Sequence, residues 1–365
     1  MDFDVAIVGA GAVGLASARA FALKGLSVVT LESAGAIGEG VSSRSSEVVH
    51  GGMYYPPGSL KAQTCVEGRR RLYEFCAEHG VAARKCGKLI VAGEEAETAA
   101  LEAIAKRALE NGVEGLRMLS GREAKRLEPM LACSAALLSP ETGIFDSHGY
   151  MVALQGEAGD HGAAFAFHTP FIGAEISASG ARVFAGGAEP VDLSVRILVN
   201  AAGLGASAAA RSIQGIDASR IPVTRYAKGN YFSLPGRAPF QRLIYPAPVA
   251  HGLGIHLTFD LSGQVRFGPD VEWVETPDYA VDPDRAASFA VAIRRYWPGA
   301  PADALAPAYA GIRPKISAPN EPAADFRLDV TRLGDARVVN LYGIESPGLT
   351  ASLALAERVV AAARE

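Results

Sequence analysis

Phe3-Asp4-Val5-Ala6-Ile7-Val8-Gly9-Ala10-Gly11-Ala12-Val13-Gly14 joins an apolar run to three glycines in the spacing G-x-G-x-x-G, and a small-residue stretch follows as far as Gly25. The alternation over 3–8 predicts a strand, 9–14 a turn, 15–24 a helix and 26–31 a second buried strand, which together form a βαβ unit. In that setting each glycine has a physical task. Gly9 permits the tight turn, Gly11 lets a pyrophosphate approach the backbone, and Gly14 lets the helix pack on the sheet, while the helix N-terminus attracts phosphate. Glu32 ends the second strand, 18 positions after Gly14, where a carboxylate accepts hydrogen bonds from ribose hydroxyls and disfavours a 2′-phosphate. A glycine turn with a chance acid downstream is the bland alternative, and the coincidence of strand, turn, helix and acid argues against it.

Beyond this unit, the pattern predicts helices over 59–79, 94–111 and 121–127, with a strand over 88–92. After Pro140 it predicts a helix over 150–162 and strands over 164–168, 171–177 and 195–200. Strand signals then dominate, at 226–234, 254–259, 264–267, 309–316 and 338–341, interrupted by a helix over 284–296 and closed by one over 348–364. The 365 residues suffice for about two domains, and 49% hydrophobic with 20% charged residues excludes disorder as the main state. Thirty-five basic against 39 acidic side chains give net charge −4, without the basic excess that a nucleic-acid backbone requires. Cys65, Cys76, Cys86 and Cys133 show no C-x-x-C spacing and read as reduced thiols; Cys65 and Cys76, 11 apart, share a helical face and read as packing. The apolar stretch 5–18 has Asp2 and Asp4 where a signal peptide carries basic residues, so no signal peptide and a cytoplasmic location are expected. No spacing suits a metal, and no G-x-S-x-G suggests acyl transfer.

The fingerprint alone does not choose between NAD and FAD. Ser42-Ser43-Arg44-Ser45-Ser46-Glu47-Val48-Val49-His50-Gly51-Gly52 packs hydroxyls, a guanidinium and glycines shortly after the ribose acid, which suits an extended diphosphate and a flat ring; a solvated loop is the alternative. Near the other end, Ser346-Pro347-Gly348-Leu349-Thr350 precedes the last helix, whose first amides suit an anionic ring oxygen or simply start a helix.

These two segments carry a resemblance. The sequence resembles the D-amino-acid-oxidase-like FAD oxidoreductases, and within them the L-2-hydroxyglutarate oxidase/dehydrogenase branch, over most of its length. The similarity rests on residues 42–68, with their H-x-G-x-Y-Y-x-P-G-S-L-K-A-x-x-C lettering, on 201–206, 227–234, 243–269, 310–315 and 343–357. Ser45 stands where the branch has asparagine, and Phe232 follows Tyr231 in a K-G-x-Y-Y-like segment. The resemblance implies an α/β plus α+β fold: a Rossmann-like FAD-binding domain (1–85, 140–224 and 330–365, discontinuous) and a substrate domain (86–139 and 225–329) built on a large antiparallel or mixed sheet. It implies non-covalent FAD held by Gly9, Gly11, Ala12, Val13, Gly14, Glu32, Ser33, Ser42, Ser43, Arg44, Ser45, Ser46, Val48, His50, Gly51 and Gly52. It adds Phe171 at the adenine, Ala201, Ala202 and Gly203 near the diphosphate and ribose, then Gly311, Arg313, Ser346, Pro347, Gly348, Leu349 and Thr350.

For the substrate, the resemblance implies that Arg313 grips an α-carboxylate with its planar fork, a structural ion pair being the alternative. Lys315 shares the strand face of Arg313 and either neutralises a second carboxylate or is solvated. Lys228 and Tyr231 are candidates for the same cavity, or surface and core. Tyr54 and Tyr55 either wall the cavity or fix a turn, and His256 either bonds substrate or is a core histidine. An alcohol whose pKa is about 16 needs a base at its hydroxyl before hydride leaves the carbon. His50, followed by two glycines that admit ligand or flavin, is the expected base near neutral pH, with His256 its competitor. The expected reaction is FAD-dependent oxidation of an L-2-hydroxy acid, foremost L-2-hydroxyglutarate, with oxygen or a quinone as electron acceptor. A glycerol-3-phosphate or polyol dehydrogenase, an amine oxidase and a non-catalytic flavin-binding protein are the alternatives, and a peripheral membrane contact and the oligomeric state are left open.

Overall fold

The computed structural model describes residues 1–248 and 254–364, so part of the 243–269 motif, at 249–253, lies outside the described residues. β1 (Phe3–Val8), α1 (Ala12–Ala22) and β2 (Val28–Leu31) form the expected unit, with β1 parallel to β2 on one side and to Val191–Asn200 on the other. Because both faces of these strands are covered, Val5 to Val8 and Val28 to Leu31 are buried without alternation. Among the described residues the sheet has nine strands. Ala164–Ala166 extends it beyond β2, and Ala336–Tyr342 continues it in parallel beside Val191–Asn200. On one face α1 packs between the helices Ser147–Asp160 and Gly348–Arg364, and Leu15, Phe21, Tyr150 and Val359 meet in one core.

Among the described residues a second sheet of nine strands runs in the order Glu272–Val274, Arg225–Arg237, Gln264–Phe267, Leu257–Phe259, Leu243–Pro246, Lys88–Ala92, Ala135–Ser139, Arg117–Ser120, with Ala306–Lys315 also paired to Arg225–Arg237. The helix Ala286–Tyr296 covers one face of it, where Phe289 meets Phe232 at 4.6 Å between ring centroids. Burying a phenylalanine in this way is worth about 1.5–3 kcal/mol. All described strands of 86–139 and 225–315 belong to this sheet, whereas Arg327–Leu333 pairs with Ala336–Tyr342 in the first sheet and begins three residues before 330.

The differences from the sequence pattern have local causes. The helix expected at 150 begins at Ser147 because Asp146 caps it, accepting the Gly149 amide at 2.9 Å. The helix expected from 94 starts as a 3-10 turn, Glu95–Glu97, before Thr98–Glu110. Strands Arg117–Ser120, Ala135–Ser139 and Leu243–Pro246 carry little β-branched content or alternation, and their neighbours impose the pairing. The strand expected over 254–259 spans Leu257–Phe259. No helix among the described residues is long and apolar enough to cross a membrane.

Candidate active site

The glycine turn is shaped by its neighbours. Gly9 has φ +100°, and a Cβ there would lie 2.8 Å from the Ala201 carbonyl oxygen; a Cβ on Gly14 would overlap the carbonyl oxygen of Gly9. Ala201 and Ala202 therefore lie directly beside the turn, and Gly11 makes no side-chain cap at the N-terminus of α1. Ser42 accepts the Ala12 amide at 3.0 Å, and Glu32 accepts the amides of Ala10 at 2.8 Å and Ala34 at 2.9 Å. Ser33 donates to the same carboxylate at 3.1 Å. The strand that starts at Phe171 follows Thr169, whose amide bonds the Glu32 carbonyl at 2.8 Å, so Phe171 enters beside the acid. A helix N-terminus opened by a glycine, a glycine cradle and a carboxylate at the neighbouring strand end form a donor and acceptor set suited to a diphosphate and its ribose.

Three segments distant in sequence converge on this end. The His50 amide donates to Thr350 Oγ1 at 3.1 Å, Thr350 donates to the Val48 carbonyl at 3.3 Å, and Ser346 Oγ lies 3.2 Å from His50 Nε2. Gly68 of the helix Leu60–Glu78 lets Gly348–Arg364 pack closely, since a Cβ would lie 2.5 Å from the Thr350 carbonyl oxygen. Gly311 presses against Arg44, where a Cβ would lie 2.5 Å from its carbonyl oxygen, and the Tyr309 hydroxyl donates to the Ser45 carbonyl at 3.0 Å. A cavity of about 420 Å³ opens there, lined by Ser43, Ser45, Glu47, Arg266 and Tyr309 among others; His50 does not line it.

The N-terminal turn, the serine-rich loop and the C-terminal helix all lie within residues 4–362, which match the family model "DAO: FAD dependent oxidoreductase". The chain is an FAD-dependent oxidoreductase of the DAO family. Among relatives, this DAO-family chain is 42% identical over 397 residues to "L-2-hydroxyglutarate dehydrogenase, mitochondrial" of Arabidopsis thaliana, covering 98% of the chain and 82% of that protein. It is 32% identical over 283 residues to "L-2-hydroxyglutarate dehydrogenase" of Indibacter alkaliphilus, covering 74% of the chain and 68% of that protein. Its fold matches an FAD-bound, dithionite-reduced L-alpha-glycerophosphate oxidase from Mycoplasma pneumoniae with TM-score 0.88 at 24% identity, over 100% of the chain and 95% of that one.

On the second sheet the DAO chain brings some of the expected substrate residues together and separates others. Ala227 pairs with Arg313, and Lys228 with Ile312, so Lys228 and Arg313 point to opposite faces. Lys228 is buried and bonded to Asp278 at 2.9 Å, with Glu272 at 3.9 Å, which corrects its expected place in a cavity with Tyr231. An odd spacing of three residues along a regular strand already places the two side chains on opposite faces. Tyr231 stacks on Tyr309 with centroids 4.4 Å apart, and the Arg313 charge reaches its phenol. Arg313 donates to the Asp270 carbonyl at 3.0 Å and meets no carboxylate among the described residues, while Gly229 leaves room for its guanidinium. Lys315 is neither solvated nor free for a ligand. It pairs with the buried Glu345 at 2.6 Å, as Lys61 does at 2.9 Å.

His50 is half-buried, and its glycines do not open it to a ligand as expected. A Cβ on Gly51 would strike Met53 at 2.5 Å and one on Gly52 would strike Val66 at 2.6 Å, so their missing side chains serve the protein's own packing. Burial, then the Lys88 charge, push the His50 imidazole down to about 3, well below the near-neutral value expected from sequence. Tyr54 and Tyr55 are half-buried beside it, with the Tyr55 phenol bonded to Ser346 and burial raising both phenols. Asn111 holds the Tyr55 carbonyl at 2.9 Å and Arg107 holds that of Tyr54 at 3.2 Å, so one segment both walls the site and fixes a turn. His256 is buried and stacked on Tyr245, with centroids 3.6 Å apart. Sequence reasoning passed over Tyr245, Tyr309 and Lys88; the signal for Lys88 was a lone charge opening the apolar strand Lys88–Ala92.

Proposed function

We propose that the chain oxidises L-2-hydroxyglutarate to 2-oxoglutarate, with FAD held non-covalently between the glycine turn and the serine-rich loop. The observation that carries this reading is the His50 imidazole, whose Nε2 lies within hydrogen-bond distance of Ser346 Oγ where the two cofactor-end segments meet, with Tyr55 bonded to the same serine. A near-full-length match at 42% identity to a protein named for that substrate supports the choice of acid. The fold match at 24% identity carries no substrate across.

FAD, when bound, supplies the two-electron acceptor for the hydride. Arg313 orients the carboxylate beside the reacting carbon, its planar fork giving two parallel bonds where an ammonium would give a point contact. His50 Nε2 takes the hydroxyl proton, which lets electron density on oxygen expel the hydride from carbon. An imidazole with so low a pKa is a weak base in the ligand-free chain, and an anionic substrate nearby raises its basicity by favouring the protonated form. Tyr54 and Tyr55 exclude water from the same space. The deciding experiment mixes purified protein anaerobically with L-2-hydroxyglutarate, its D-enantiomer, glycerol 3-phosphate and amino acids. Bleaching of the flavin absorbance by L-2-hydroxyglutarate is expected, and bleaching by another member of the panel with none by this acid would refute the reading.

A further inference from the structure

Lys88 begins a central strand of the second sheet and is fully buried, yet its Nζ has no hydrogen-bond partner among the described residues. No carboxylate pairs with it there. It lies 4.8 Å from the ring centroid of Tyr54 and 4.4 Å from that of Tyr245, and its charge reaches His50 and Cys65. Aromatic faces attract a cation but replace only part of its hydration, so the group that satisfies it fully is an anion. The other lysines near the site are already matched, Lys61 and Lys315 by Glu345 and Lys228 by Asp278.

The sheet register says what kind of anion. Lys88 and Ile90 share one strand face, and Ile90 pairs with Tyr245 on the neighbouring strand. Tyr245 stacks on His256 and lies within electrostatic reach of Tyr54, Tyr231 and Tyr309, and Tyr231 lies within reach of Arg313. A run of neighbours thus leads from Lys88 through Tyr245 and Tyr231 to Arg313, with His50 within reach of the Lys88 charge. Two cations separated by neutral hydrogen-bonding groups complement a molecule with two carboxylates.

We propose that Lys88 binds the distal carboxylate of a 2-hydroxy dicarboxylate whose other carboxylate is held by Arg313, and that Lys88 thereby selects dicarboxylic over monocarboxylic hydroxy acids. This rests on the function proposed above and adds the residue that recognises the far end of the substrate. Burial pushes the Lys88 ammonium down to about 7, and a carboxylate beside it restores the charge. Pairing with that carboxylate also relieves the pressure Lys88 exerts on His50, so the base strengthens when the dicarboxylate is in place.

The test is Lys88→Met, close in shape and uncharged, with Lys88→Gln as a second variant. Dissociation constants of glutarate and pentanoate, which share a five-carbon chain and differ in the distal carboxylate, are read from the perturbed flavin absorbance; kcat/KM is measured with L-2-hydroxyglutarate. In both variants glutarate binding and kcat/KM should weaken about 10²-fold or more while pentanoate binding changes less than about 3-fold. Lys88→Met should also melt higher than the wild type without ligand, since an uncompensated buried cation is gone. Parallel loss of both ligands, an unchanged glutarate-to-pentanoate ratio, slowed flavin reoxidation with intact glutarate binding, or failure of both variants to fold would each overturn the assignment. A wild type that oxidises other acids but not L-2-hydroxyglutarate overturns the proposed function itself, whereas an active wild type with unaltered variants overturns Lys88 alone.

Discussion

Replacing Glu345 by Gln removes the shared partner of two cations. The Glu345 side chain is 6% exposed, that of Lys61 7% and that of Lys315 17%, so water does little to compensate either lysine. Lys61 keeps the Ala324 carbonyl at 2.8 Å, and glutamine retains one acceptor oxygen, but both ammonium groups lose their counter-charge. Breaking a buried pair from one side costs about 3–5 kcal/mol. At about 2.1 cal/mol/K per residue, a chain of 365 residues has an unfolding entropy near 0.8 kcal/mol/K, so melting should fall by about 4–6 °C. Calorimetry of the flavin-free protein measures this. The pH dependence has a definite sign. Lys61 and Lys315 hold the Glu345 carboxyl below its usual 4.5 despite the opposing effect of burial, so its stabilisation is complete above that value and lost as pH falls through the folded pKa. The difference between wild type and Glu345→Gln should therefore shrink as pH falls below the usual carboxyl value of 4.5 and through the lower folded one. Adding Lys315→Met to Glu345→Gln should return about 1–3 kcal/mol, because one stranded cation is removed. Unchanged melting in the single variant, or strict additivity in the double one, would refute the account of this triad.

Arg313→Lys should raise KM about tenfold or more with flavin retained, since the fork is lost while the charge stays; unchanged steady-state constants would remove Arg313 from the substrate site. Gly9→Ala should weaken FAD binding, because φ is +100° and the new Cβ would lie 2.8 Å from the Ala201 oxygen; full flavin occupancy in the purified variant would contradict this. His50→Gln should bind FAD normally and lose about 10²–10⁴ in turnover, and a loss found in His256→Gln instead would transfer the role of base. With His50 near 3 in the free protein, kcat/KM should show no acid limb from this group above about pH 5, and a limb at 6–7 that His50→Gln abolishes would show that burial and Lys88 do not depress it.

What sequence could convey depends on how local each constraint is. The turn 9–14 was readable because its demands are set by neighbouring backbone atoms, as the close approaches at Gly9 and Gly14 show. The bond between His50 and Thr350 joins positions 300 apart, so no spacing rule reveals it, and only the resemblance linked the two segments. Lys228 and Tyr231 lie three residues apart on one strand, so the parity that separates them is in the sequence, while the carboxylate of Asp278 that claims Lys228 is 50 positions away. Gly51 and Gly52 were read as space for a ligand, but a missing side chain in the sequence does not say which neighbour needs the room. Met53 and Val66 take it.

The treatment of charge separates structural from functional lysines more sharply than residue type or motif does. Lys61, Lys228 and Lys315 carried as much sequence signal as Lys88, or more, and each is neutralised by a carboxylate of the chain itself. A buried cation offset within the chain holds elements together: Lys61, on the helix Leu60–Glu78, and Lys315, at the end of a strand of the second sheet, meet on Glu345 just ahead of the helix Gly348–Arg364. Among the described residues Lys88 has only tyrosine rings against it, so burial weakens its charge in the ligand-free fold. Uncompensated burial of this kind lowers stability and persists where a ligand supplies the missing charge, which is why Lys88, absent from every motif, is the lysine that the chemistry of a two-carboxylate substrate requires.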